Sequence, residues 1–210
     1  NRCPYCGKVV EPDEYACKNC RKMLRAKHQA IKSGARGYRC VSSFVYDGRV
    51  RRILLRVKYQ ERIQFLPQLA VILAQDIRDA YPDIKFDCIT AVPMHKKDLR
   101  KRGFNQSEIL ARSLCELLDL PYLDTLTKIK RTKQQHRLKF AERKKNLDGA
   151  FSVIDKELVK DKRILVIDDI ITSGYTLGNC CKTLNKAKPA LLCCAAIASA
   201  RNDYPKESVI

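Results

Sequence analysis

The sequence predicts an α/β fold, a parallel sheet flanked by helices, with a small four-cysteine module ahead of it. Three observations predict this. Short apolar strands such as Ile164-Leu165-Val166-Ile167 recur with helical segments between them, the pattern of a sheet covered on both faces. The helical segments place apolar residues at the helical period of about 3.6, as in Val50, Ile53, Leu54 and Val57. Two Cys-x-x-Cys pairs stand outside that pattern, near the start of the chain.

With 210 residues and 45% hydrophobic content, the chain can bury one core of about 150 residues and still carry an accessory module. The expected division is 1–36 for the module and its linker and 37–210 for the main domain. The longest apolar run, Ala190 to Ala198, is far below the roughly 18 residues of a membrane span. No charged, apolar and small-residue cleavage pattern opens the chain, so a soluble cytoplasmic protein is expected. Eleven cysteines, with adjacent pairs at Cys180-Cys181 and Cys193-Cys194, do not form a disulfide pattern and fit a reducing compartment. Lys and Arg number 42 against 23 acidic residues, a formal charge of +19, which points to polyanionic partners such as nucleic acid or phosphorylated ligands.

Cys3, Cys6, Cys17 and Cys20 give four thiolates at ribbon-knuckle spacing, suited to a tetrahedral structural Zn²⁺, and Gly7 permits the tight turn after the second ligand. Nothing around them reads as the strand-helix-strand unit of a redox pair. So few residues have no core of their own, and metal would supply folding free energy on the order of 10 kcal/mol. Three acids against nine Lys or Arg up to Arg36 incline the module toward a nucleic-acid contact, with a structural knob or protein-docking surface as alternatives. His28 is read as an ordinary surface residue. Arg21 to Lys32 reads as a helix, and Ser33-Gly34 with Gly37 as the linker.

The main domain then runs in order. Tyr38 to Tyr46 is a strand, Asp47-Gly48 turns into a helix, and a second helix spans about Leu66 to Ala80. Cys88 to Val92 is a buried strand, followed by a polar loop from Pro93 and a helix from Ser107 to Leu118. Arg163 to Ile167 is a strand, Asp168 to Tyr175 a loop, and a helix runs from there to Lys186. The apolar run from Ala190 is the last strand. Ligands of such a sheet bind at the carboxyl ends of the strands.

The chemistry concentrates in Asp168-Asp169-Ile170-Ile171-Thr172-Ser173-Gly174-Tyr175-Thr176. A loop entering a helix aims unpaired N–H groups and the positive end of the helix dipole at one spot. Thr172, Ser173 and Thr176 add hydroxyls, and Gly174 lets the backbone close around an anion. That is a phosphate-monoester site, with Asp168 and Asp169 placed to accept hydrogen bonds from the hydroxyls of an attached sugar. Neither the Gly-rich nucleoside-triphosphate loop nor the dinucleotide fingerprint is present.

This segment resembles the signature of the type I phosphoribosyltransferases. With the N-terminal cysteines, Val92-Pro93-Met94 leading into Arg100-Lys101-Arg102-Gly103-Phe104-Asn105-Gln106, and Lys133-Gln134-Gln135-His136-Arg137-Leu138 followed by Arg143 and Asn146, the chain resembles the ComF (ComFC-like) competence family over essentially its whole length. The resemblance implies that Asp168 and Asp169 hold ribose hydroxyls and that Thr172 to Thr176 hold the 5-phosphate of phosphoribosyl pyrophosphate. It implies a pyrophosphate loop of Met94, His95, Arg100, Lys101, Arg102, Gly103, Asn105 and Gln106, with Mg²⁺ arriving on the ligand. It also implies single-stranded DNA as a partner in DNA uptake, alongside a helicase and a recombination-loading protein. Nine Lys or Arg against Glu142 alone between Lys128 and Lys145 suit either a loop closing over pyrophosphate or a track for a nucleic-acid backbone, through Arg131, Lys133, Gln135, Arg137 and Arg143. Whether a phosphoribosyl group is also transferred, to an amine or a nucleobase, stays open: no acceptor pocket is legible, and no residue is assigned as the base.

Overall fold

The fold is built from a computed structural model, which describes residues 3, 5–11, 17–59, 63–132 and 148–200. Seven strands and six α-helices are present among these residues, in the order α1 (Lys18–Lys27), β1 (His28–Ala35), β2 (Tyr38–Val45), α2 (Gly48–Tyr59), α3 (Leu66–Ala80), β3 (Cys88–Ala91), α4 (Lys96–Arg102), α5 (Gln106–Leu118), β4 (Leu126–Lys128), β5 (Phe151–Val153), β6 (Arg163–Ile171), α6 (Tyr175–Asn185) and β7 (Leu191–Ser199). The main sheet has the order β1-β2-β7-β6-β3. Strands β2, β7, β6 and β3 are parallel, and β1 joins the edge antiparallel. The four parallel strands therefore end on the same side.

The sheet has two apolar faces, as the continuous strand hydrophobicity requires. On one face, Leu165, Ile167, Cys193, Ala195 and Ile197 pack with α2, α3 and α5. On the other, Ile164, Val166, Cys194 and Ala196 pack with α6 and with Leu126 and Phe151 of the separate β4–β5 hairpin. All eleven cysteines are free thiols. No helix among the described residues is long and apolar enough to cross a membrane.

Three expectations need correction. The helix expected to reach Lys32 stops at Lys27, and residues 28–35, expected to end that helix and begin a linker, are the edge strand β1. Arg36 and Gly37 form its turn, with φ of 59° and 94°, the left-handed pair that a two-residue hairpin demands. Arg-Gly is a poor signal for that turn beside Asn-Gly, which is why it reads as a linker. The loop expected from Pro93 contains α4, whose Lys-Lys-Asp-Leu-Arg-Lys-Arg sequence has one apolar residue and no stripe to betray it. Finally, β6 continues through Asp168 to Ile171 because β7 stays in register beside it, pairing Ile170 with Ala198 and Ile171 with Ser199.

The cysteine module packs on the main domain. Tyr5 stacks on Phe65 with ring centroids 5.5 Å apart, its hydroxyl donates to Gln68 Oε1 at 3.0 Å, and Arg56 donates to its carbonyl. His28 is more than a surface residue: its Nε2 lies 2.9 Å from Oδ1 of the buried Asp76 on α3, with its ring edge on Phe44.

Candidate functional site

Two segments meet where β3 ends beside the second half of β6. Val92 just after β3 donates its N–H to Ile167 O at 2.9 Å, and Asn105 Nδ2 donates back to Val92 O at 3.0 Å. Asn105 also caps α5, its Oδ1 accepting from Ser107 N at 3.2 Å. The Ser107 hydroxyl then donates to Asp168 Oδ1 at 2.9 Å, tying the start of α5 to the acidic pair. The segment His95–Gln106 and the segment Asp168–Thr176 thus share one end of the sheet.

Asp168 is buried and Asp169 half-buried. Asp168 Oδ1 also accepts from Asp169 N at 2.9 Å, and Asp169 Oδ1 accepts from Ile170 N at 2.8 Å. Burial, then the neighbouring Asp169 charge, pushes the Asp168 carboxyl up to about 8, with the Ser107 hydroxyl and the Asp169 N–H working the other way. Without ligand, Asp168 therefore holds its proton near neutral pH. Hydrogen-bond donors arriving on a ligand would favour the carboxylate.

Beyond the pair, Gly174 stands at φ 71° as the N-cap of α6, and no side chain caps the helix nor does any acid occupy its first turn. The positive end of its dipole therefore meets no acid of its own first turn. Ser173 Oγ is buried with no partner among the described residues, and so is Gln106 Nε2 in the neighbouring loop. Two orphaned polar atoms in these two loops fit a missing polar ligand. Tyr175 is buried beneath Arg36, whose guanidinium carbon lies 3.6 Å from its ring centroid, so the β1–β2 turn braces the start of α6.

In the other loop, His95 caps α4 by accepting from Lys97 N at 3.2 Å, and Gly103 ends that helix at φ 83°. Arg100 and Lys101 are exposed, Met94 and Arg102 half-buried, and Arg102 donates to Gln106 Oε1 at 3.1 Å. Arg131 pairs with Asp98 of α4 at 3.0 Å, which anchors the root of the basic segment beside this loop. The expected contacts Lys133, Gln135, Arg137 and Arg143 lie outside the described residues.

Two contributors escape sequence reading. Ser107 meets Asp168 across 61 residues of chain, a pairing without a local signal. Lys128, on β4, is largely desolvated; burial lowers its ammonium below the ordinary value while Cys180, Asp98 and Asp168 act to restore it. A lysine in a basic segment carries no mark of such a setting.

The Sγ atoms of Cys3, Cys6, Cys17 and Cys20 all lie within 4.8 Å of one another, with Cys6 and Cys17 3.7 Å apart. Four thiolates about 2.3 Å from a tetrahedral zinc ion stand about 3.8 Å apart, so the cluster fits a metal ion such as zinc. Burial opposes ionisation of Cys3, but backbone N–H groups of Cys17, Cys6 and Tyr5 outweigh it and bring the thiol to about 7; burial raises Cys6 and Cys20.

A parallel α/β sheet with an acidic pair in β6, set beside a basic loop, is the arrangement of this chain, and the chain belongs to the phosphoribosyl transferase domain family, whose model matches residues 99–209. Within that class its relatives carry competence and DNA-utilization names. It is 29% identical over 188 residues to Competence protein F of Haemophilus influenzae, covering 87% of this chain and 79% of that one. It is 28% identical over 193 residues to DNA utilization protein YhgH of Salmonella typhimurium, covering 87% and 83%. Competence protein ComFC of Bacillus subtilis is 25% identical over 175 residues, covering 83% and 68%.

Proposed function

We propose that the chain binds phosphoribosyl pyrophosphate at the ends of β3 and β6 and acts on single-stranded DNA during DNA uptake, with a helicase and a recombination-loading protein as its partners. The observation that carries the ligand assignment is the Ser107–Asp168 hydrogen bond, which sets the acidic pair, a few residues ahead of α6, against the basic α4–α5 loop. In this reading the acidic pair takes the ribose hydroxyls, residues Thr172–Thr176 take the 5-phosphate, and Arg100, Lys101 and Arg102 with the α5 start take the pyrophosphate. Ser173 Oγ and Gln106 Nε2 gain the partners they lack. Mg²⁺ enters on the pyrophosphate oxygens, retaining waters. The relatives' competence and DNA-utilization names support the DNA part, as does the +19 charge. The division expected at residues 36 and 37 moves back to the start of β1, since His28–Ala35 belongs to the main sheet.

The test is calorimetric titration of phosphoribosyl pyrophosphate with Mg²⁺ into the zinc-loaded chain and into the Asp168→Asn/Asp169→Asn variant. Micromolar binding in the first and none in the second is expected; equal binding in both would remove the acidic pair from the site. A second reading, transfer of the phosphoribosyl group, is favoured by the intact acidic pair. There the bond from the ribose anomeric carbon to pyrophosphate breaks as one to an acceptor nitrogen forms, and the basic loop stabilises the leaving pyrophosphate. Its signature is pyrophosphate release that depends on an added amine or nucleobase.

A further inference from the structure

Two helices break electrostatic rules that others in the fold keep. α1 has five Lys or Arg among its ten residues, α2 has five among its twelve, and neither contains an Asp or Glu. Helix dipoles favour acids in the first turn, as Asp98 provides in α4 and Glu108 in α5. The first turns of α1 and α2 instead hold Lys18 and Arg21, and Arg49 and Arg51. Lys18 and Lys22, Arg21 and Arg25, and Arg52 and Arg56 are like-charged pairs one helical turn apart, which repel. Lys18, Lys22, Arg25, Arg49, Arg51 and Arg52 are all exposed, and none makes an ion pair among the described residues.

The structure also ties the ends of these helices together. At one end Lys27 Nζ, closing α1, lies 3.6 Å from Oδ2 of Asp47, which precedes α2. At the other, Arg56 of α2 holds the carbonyl of Tyr5, in the cysteine knuckle whose Cys17 and Cys20 open α1. The end of α1 is thus tied to the start of α2, and the last turn of α2 to the knuckle that opens α1. Their apolar sides, Leu24 on α1 and Val50, Ile53, Leu54 and Val57 on α2, are buried in the core, which leaves the cations for solvent.

We propose that this α1–α2 face is the surface that holds single-stranded nucleic acid, with Lys18, Lys22, Arg25, Arg49, Arg51 and Arg52 against its phosphate backbone. The proposal rests on the single-strand reading above and moves the main contact away from the segment after Lys128. A polyanion relieves both the repulsion within each helix and the uncompensated dipoles. An anionic membrane is the poorer fit, since an interfacial helix needs an apolar side to insert. Among the described residues, the exposed large apolar ones are Val9, Ile63, Val71, Ile129, Ile154 and Leu158, none of them on α1 or α2.

The test is fluorescence anisotropy of a labelled oligo(dT) of about 20 nucleotides, titrated with the full zinc-loaded chain at several salt concentrations. The variant K22Q/R25Q/R49Q/R52Q is compared with K156Q/K160Q/K182Q/K186Q, which removes equal charge from exposed lysines elsewhere. The first is expected to lose at least about tenfold in affinity and to flatten the slope of log K against log salt by about 3, the share of four phosphate contacts on a single strand. The second is expected to lose less than about threefold. Unchanged zinc content and melting temperature certify each variant, and the single charge reversal Arg52→Glu gives the same direction should the quadruple variant misfold. Equal losses in both quadruple variants, or an unaltered slope in the first, overturn this placement while leaving the single-strand reading intact. A wild-type chain that ignores the oligonucleotide, or binds only vesicles of anionic phospholipid, sinks that reading as well.

Discussion

Replacing Asp168 by Asn should make the ligand-free protein more stable at neutral pH and almost no different in acid. The folded carboxyl titrates at about 8, raised by burial and then by Asp169, whereas an unfolded Asp ionises at about 3.9. Between those values the folded chain keeps a proton that the unfolded chain has released, so stability falls as pH rises, by about 1.4 kcal/mol per unit. From about pH 5 to about pH 7.5 the ceiling on this loss is roughly 3.4 kcal/mol. Asn fills the same space, still accepts from Ser107 Oγ and has no proton to lose. Urea unfolding of zinc-loaded wild type and variant at both pH values measures the difference of differences, which cancels titration elsewhere. The variant should gain about 2–3 kcal/mol on the wild type across that interval. Parallel pH profiles would show that Asp168 is ionised throughout, and the desolvation argument would fail.

Other perturbations follow from the same contacts. Cys17→Ser should release the metal and also lower the melting temperature of the whole chain, because Cys3 and Tyr5 belong to the main apolar cluster; metal analysis with a thermal melt reads both, and an unaltered melt would mean the module folds apart. Arg36→Ala should cost about 1 kcal/mol of stability and weaken phosphoribosyl pyrophosphate several-fold, since it unroofs Tyr175; calorimetry checks it, with partial rescue by Arg36→Lys. Gly174→Ala forces a Cβ into a left-handed conformation at φ 71° and should cost about 1–2 kcal/mol in chemical unfolding while weakening the same ligand. His28→Ala leaves the buried Asp76 without its donor and should cost about 1–3 kcal/mol, read by the same unfolding curves.

Much of the main domain is legible because its signals are local. The helix Leu66–Ala80 begins and ends where the apolar period does, and the strand-loop-helix around Asp168 announces itself within a dozen residues. What escapes is set by partners distant in sequence. β1 is a strand because β2 pairs with it, although its own sequence, His-Gln-Ala-Ile-Lys-Ser-Gly-Ala, has weak strand propensity. β6 runs past the acidic pair because β7 lies beside it. Ser107 joins the site through a contact that no spacing encodes, Lys128 only feels the charges of Asp98 and Asp168, and His28 looks ordinary until Asp76 is seen across 48 residues of chain. The charge of α1 and α2 is plain in the sequence, but the ties at their ends are not.

The most direct test is a titration of phosphoribosyl pyrophosphate with Mg²⁺ into the zinc-loaded chain already saturated with single-stranded oligonucleotide, while the oligonucleotide's anisotropy is followed. If the ligand sits at the strand ends and DNA lies on α1 and α2, the ligand binds with its DNA-free affinity, the anisotropy stays high, and Asp168→Asn/Asp169→Asn removes the ligand alone. Displacement of the oligonucleotide by the ligand, or no ligand binding in either condition, would contradict the account.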